Sequence, residues 1–116
     1  MDYSSAYRLA QELRESEEYK TYHGLKESVM SDETTAALIR EYRKLQVKLQ
    51  MAAAGGQTAE PEDLQRFSGI STLLFSKPEV SNFLLAEMRL QQAMVDIFRI
   101  VTEAAGIELG IPGLEG

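Results

Sequence analysis

Residues 77–105 carry one long helical pattern whose apolar positions do not fit on a single face. At roughly 100° per residue, Arg89, Gln92, Asp96, Arg99 and Glu103 fall on one polar stripe. Val80, Phe83, Leu84, Met88, Leu90, Met94, Val95, Ile97, Phe98, Ile100 and Val101 spread over the remainder, an apolar arc of about two-thirds of the circumference. A helix on the outside of a small bundle needs only a stripe somewhat over ~100° wide, so this one calls for neighbours on two sides. One is the helical segment over residues 38–52. The other is the same helix of a second copy, because a two-fold dimer brings a self-complementary stripe onto itself. The residues expected at that contact are Phe83, Leu84, Glu87, Leu90, Gln91, Met94, Ile97, Phe98 and Val101. The alternative is a central helix of a monomer, wrapped by shorter ones.

The remaining sequence supplies those shorter helices. Period-3.6 patterning recurs throughout, with no run of period-2 alternation rich in β-branched residues, so the expectation is an all-α bundle of about four to five helices ending in the long one. Tyr3, Ala6, Tyr7, Ala10 and Leu13 make the first apolar stripe. Ser16-Glu17-Glu18 then offers a capping hydroxyl followed by carboxylates in a first turn, where the helix dipole favours them. The next segment carries Tyr19, Tyr22, Leu25 and Val29, weakened by Gly24, and Ser31-Asp32-Glu33 reads as another N-cap. Leu38, Tyr42, Leu45, Leu49 and Ala52 form a heptad seam suited to packing antiparallel on another long helix. Gly55-Gly56 closes that helix, and Pro61 suits the first turn of the next, which carries Leu64, Phe67, Ile70, Leu74 and Phe75. Ser76-Lys77-Pro78-Glu79 predicts a capping box opening the last helix, and Gly106 its stop.

A chain of 116 residues is one domain's worth; the expectation is a single helical domain over residues 1–106 and an apolar tail over 107–116. Without a cysteine it forms no disulfide, thiolate metal site or thiol nucleophile of its own. No apolar stretch approaches the ~20 residues that cross a bilayer, and Met1-Asp2-Tyr3-Ser4-Ser5 lacks the basic-then-apolar order of a signal peptide, so the expected address is the cytoplasm, with no membrane partner. Twelve basic against eighteen acidic residues leave a net charge of −6, which repels nucleic acid at long range and favours protein partners.

The candidate chemistry is sparse. His23 is the sole histidine, and Lys20 stands where a helical Glu-x-x-His di-iron motif needs its carboxylate. Glu15, Glu17 and Glu18 diverge around their helices and do not converge on a metal. No phosphate-cradling glycine loop is present. The expectation is no catalytic, cofactor or metal site: not an enzyme. Two surfaces remain. Arg40, Arg43, Lys44 and Lys48 make a basic strip beside Glu41, either a solvated helix face or a contact for RNA or an acidic protein. The five tyrosines, Tyr3, Tyr7, Tyr19, Tyr22 and Tyr42, are either core edge with wet hydroxyls or a partner surface, with Tyr19 and Tyr22 the candidates for the latter. Glu87 and Gln91, one turn apart within the wide apolar arc, set the register of an assembly or touch a specific partner.

The order of these features resembles a known family. Ala10-Gln11-Glu12-Leu13-Arg14-Glu15-Ser16-Glu17-Glu18-Tyr19 is similar to the opening pattern of the YlbF/YmcA family of small bacterial helical proteins. Residues 38–49 resemble its second long helix. Lys77-Pro78-Glu79-Val80, followed by Phe83-Leu84-Leu85-Ala86-Glu87, resembles its entry to the final helix, and Asp96-Ile97-Phe98-Arg99-Ile100-Val101 falls where the family carries spaced isoleucines. The resemblance covers residues 7–106. It implies an all-helical, oligomeric, non-enzymatic regulator, a cofactor of competence, sporulation and biofilm decisions within complexes that influence a ribonuclease in mRNA processing. The partners it implies are a second copy of the chain and other regulatory proteins of such a ribonuclease-associated complex. An RNA-contacting accessory protein using the basic strip is the alternative.

Overall fold

Among the described residues five helices form between the expected breaks: α1 (Ser4–Arg14), α2 (Glu17–Ser31), α3 (Glu33–Ala54), α4 (Pro61–Phe75) and α5 (Pro78–Ala105). The computed structural model describes residues 1–107, and among these there is no strand. Of the apolar tail expected over residues 107–116, all but the exposed Ile107 lies outside the described residues.

The helix boundaries follow from local hydrogen bonding. At the start of α1 the Asp2 carboxylate accepts from the Ser4 N–H at 2.9 Å and the Ser4 hydroxyl at 2.6 Å. Between α1 and α2, the Ser16 hydroxyl accepts from the Tyr19 N–H at 3.2 Å and donates to the Leu13 carbonyl at 2.6 Å, so one side chain ties the end of α1 to the start of α2. Asp32 occupies the N-cap position of α3 in extended backbone, its carboxylate accepting from the Thr35 hydroxyl and not from a backbone N–H. The C-terminus of α3 closes through paired bonds from the Gly56 N–H to Ala53 and the Gln57 N–H to Ala52, which require the left-handed conformation that Gly56 adopts at φ 71°. Gly106, at φ 70°, ends α5 as expected.

The start of α5 departs from expectation, because the Ser76–Glu79 capping box does not form. Ser76 stays in right-handed helical backbone as the last residue of the α4 turn, not in the extended conformation an N-cap needs. Its hydroxyl therefore turns back to the Leu73 carbonyl at 2.7 Å, and the Glu79 carboxylate accepts from the Ser28 hydroxyl at 2.7 Å, joining α5 to the end of α2. The first α5 bond runs from the Ser81 N–H to the Lys77 carbonyl.

The helices group into two compact units. In the unit Gly24–Phe83, α3 and α4 pack as an antiparallel hairpin across a short linker. Cross-links run in that order, Lys48 to Asp63 near the linker and Glu41 to Arg66 further along. Tyr42 stacks on Phe67 with ring centroids 5.0 Å apart and meets Phe75 edge-on at 6.3 Å. The core takes Val29 from α2, Ala36, Ile39 and Leu45 from α3, Leu74 from α4 and Val80 and Phe83 from α5. The seam over residues 38–52 was expected to face the long last helix; its close backbone neighbour is α4. A connection this short returns the chain beside the helix it has just left.

The other unit comprises Met1–His23 and the chain from Leu84 onward. Its buried apolar residues are Leu84 and Ala86 of α5, and α1 buries none of its residues. Glu17, Glu18 and Thr21 of α2, with Ala86 and Arg89 of α5, line a cleft of about 80 Å³.

Candidate association surface

The stripe Val80, Phe83, Glu87, Gln91, Met94, Phe98 and Val101 runs down α5 in steps of three and four, along one face. Its first two members are buried. Past Gln91, itself exposed, the same face opens: Met94 is 39% exposed, Phe98 42% and Val101 56%. Leu90 and Ile97 flank it half-buried, and Glu87 is half-buried with a bonding partner within the chain. Across the helix Leu85, Met88 and Ile100 are exposed as well. Of the nine residues expected at an interface, Phe83 and Leu84 belong instead to the chain's own core, because the first turns of α5 are covered. The other seven remain accessible at least in part.

A second apolar edge lies on α1. Tyr3 is 61% exposed and Tyr7 77%, with Ala6 exposed between them, while Ala10 and Leu13 further along are half-buried. The tyrosines thus divide: Tyr3 and Tyr7 are open, whereas Tyr19, Tyr22 and Tyr42 sit half-buried at core edges. Tyr19 and Tyr22 pack against the exposed His23, with ring centroids 4.2 Å and 4.9 Å away, and so are engaged within α2.

The basic strip is partly engaged inside the chain. Lys48 donates to Asp63 at 2.8 Å, and this hydrogen bond, with the Asp63 charge, raises the Lys48 pKa above its ordinary value. Arg43 is half-buried and already has an interaction within the chain, while Arg40 and Lys44 are exposed. Glu41 beside them is taken by Arg66. The buried Asp63 is a functional-looking group that sequence reading missed; its position in the acidic first turn of α4, opposite Lys48 across a glycine linker, was the available signal. Lys48 and Asp63 also border an open cleft of about 450 Å³ floored by Leu49, Ala52 and Ala59. Among the described residues, no three His, Asp or Glu side chains are placed to hold a metal ion, and no helix is long and apolar enough to cross a membrane.

The fold and this surface define the class: a small all-α protein with an open apolar face on its long last helix. The family described as control of competence regulator ComK, YlbF/YmcA, matches residues 3–105, and the chain belongs to this family. It is 33% identical over 109 residues to a UPF0342 protein of Halothermothrix orenii, covering 94% of this chain and 91% of that one. A UPF0342 protein of Caldicellulosiruptor saccharolyticus is 29% identical, over 97% and 93% of the two chains. The fold resembles that of a protein of unknown function (DUF964) from Bacillus stearothermophilus, with a TM-score of 0.68 at 18% identity, over 90% of this chain and 91% of the other.

Proposed function

We propose that this chain is a non-enzymatic regulatory adaptor of the cytoplasm that works by protein–protein association. It meets a second copy of itself through the open half of α5 and offers its remaining surface to other regulatory proteins. The observation that carries this reading is the exposure of Met94, Phe98 and Val101 on one continuous apolar stripe. Isolated exposed apolar residues are ordinary, whereas contiguous apolar surface marks a contact site. Membership of a family described by competence control supports a regulatory role, and control of competence, sporulation, biofilm formation or mRNA processing is the setting in which such an adaptor would act. The RNA alternative is less favoured, because Lys48 is held by Asp63 and the chain is net acidic.

Sedimentation of the full chain tests the proposal. The wild type is expected to sediment well above 13.0 kDa at tens of micromolar, and the triple variant Met94→Ser, Phe98→Ser, Val101→Ser as a helical monomer. A wild type that stays monomeric at that concentration would refute it. Titration with single-stranded RNA checks the alternative, which requires binding that weakens steeply as salt rises; the adaptor reading expects none at physiological salt.

A further inference from the structure

Two apolar faces of the unit containing Met1–His23 stand open at once, the Tyr3–Tyr7 edge of α1 and the Met94–Phe98–Val101 stripe of α5, and neither covers the other. We infer that α1 of one chain lies on the α5 stripe of a second copy, and reciprocally, so that each chain supplies the cover its partner lacks. The inference rests on the association reading above and specifies which element of the partner fills the stripe.

The first argument is that α1 cannot be self-sufficient. It has 11 residues and buries none of them. Helices shorter than about 12–15 residues are marginal in water unless an apolar face is packed. Its apolar residues nonetheless keep the 3–4 spacing of an amphipathic helix, and the chain half-covers only Ala10 and Leu13, leaving Tyr3, Ala6 and Tyr7 open.

The second argument is that the corner between α1 and α2 is short and hydrogen-bonded. Glu15 and Ser16 are all that separate α1 from α2. The Ser16 hydroxyl, bonded both to the Leu13 carbonyl and to the Tyr19 N–H, fixes the direction of that corner.

Length and area agree. At about 1.5 Å rise per residue, α1 with its 11 residues is roughly 16 Å long, and the stretch from Met94 to the end of α5 at Ala105 is one residue longer. Aromatic side chains bury about 150–250 Å² each. Tyr3 and Tyr7, at their present exposure, therefore offer roughly 300 Å² to a contact, and the α5 stripe about as much. Two reciprocal contacts remove on the order of 1,200 Å² in all, the lower end of the range for specific protein interfaces. Two-fold symmetry doubles the contact without further sequence, since one chain carries both halves.

The absence of cysteine from the chain makes the test clean. Full-length Tyr7→Cys and Phe98→Cys variants are prepared separately, mixed, and treated with a short bis-maleimide. The expected result is a covalent dimer in the mixture and little in either variant alone. Equal cross-linking of Phe98→Cys by itself would set α5 against α5, overturning this inference while leaving association intact. Intrachain linkage in the double variant Tyr7→Cys, Phe98→Cys at low concentration would place α1 on its own α5 and also overturn it. A monomeric wild type in sedimentation removes the underlying association reading instead. As a check free of cross-linking, Tyr7→Ala and Phe98→Ala are each expected to weaken self-association about tenfold or more with helicity unchanged; an unaltered affinity for Tyr7→Ala would overturn the α1 contact.

Discussion

Among single residues, Asp32 and Ser71 show how a polar group's surroundings set its worth. Asp32 accepts the hydroxyl of the buried Thr35 at 2.6 Å, and this bond, aided by the nearby Lys77 charge, holds its carboxyl below the ordinary value of 3.8. A lowered carboxyl stabilises the fold above its unfolded pKa, and that contribution is lost as pH falls through the lower folded value. The loss therefore falls below about pH 4. Urea midpoints of wild type and Asp32→Asn are expected to differ at pH 6 and to converge towards pH 2. Ser71 is the opposite case: its hydroxyl oxygen is buried with no hydrogen-bond partner. A buried hydroxyl without a partner costs about 1–3 kcal/mol, so Ser71→Ala is expected to leave stability unchanged or raise it by about 1 kcal/mol, read from denaturant midpoints. At this scale only the cues that act locally were legible. The Ser16 cap was legible because its partners are local, whereas the Ser28–Glu79 bond, spanning α2 and α5, had no local trace and displaced the expected capping box.

At the scale of the helix, boundaries were the most legible feature, since caps, glycines and Pro61 act through neighbours only a few residues away. Two glycines inside helices permit a direct measurement. Gly24 in α2 and Gly69 in α4 have negative φ, and a Cβ at either would meet nothing within 4 Å. Glycine in a helix interior costs roughly 0.8–1.0 kcal/mol relative to alanine. Gly24→Ala and Gly69→Ala are each expected to stabilise by about that much, and additively, as seen in thermal or urea unfolding. Pairing of helices was harder to read. The seam on α3 was recognised residue by residue, and Leu45 is indeed buried, but a heptad stripe does not say which helix will meet it. The linker decided for α4, with the Tyr42–Phe67 stack sealing the choice.

For the molecule as a whole, association and stability should be linked. If each copy supplies cover for the other, folding is coupled to protomer concentration. The thermal midpoint is then expected to rise by several degrees between about 1 and 100 µM chain, whereas a self-sufficient monomer melts at a fixed temperature. Calorimetry or circular dichroism across that range provides the measurement. The wide apolar arc of α5 was legible in the sequence, and its later turns stand exposed at Met94, Phe98, Ile100 and Val101. Phe83 and Leu84, expected at the contact, are buried within the chain, because a helical wheel shows a residue's direction and not its depth along the helix: the first turns of α5 are covered and the later ones are more open.

The sequence by itself determined the helices, their ends, the family and the surplus of apolar surface, because each arises from periodicity, capping or composition, all of which act over short stretches of chain. Only the tertiary structure decided that α3 pairs with α4, that Lys48 is held by a buried Asp63, and where along α5 the covered face becomes an open one. Those outcomes depend on which distant side chains fill the same space, and a one-dimensional pattern carries no record of that competition.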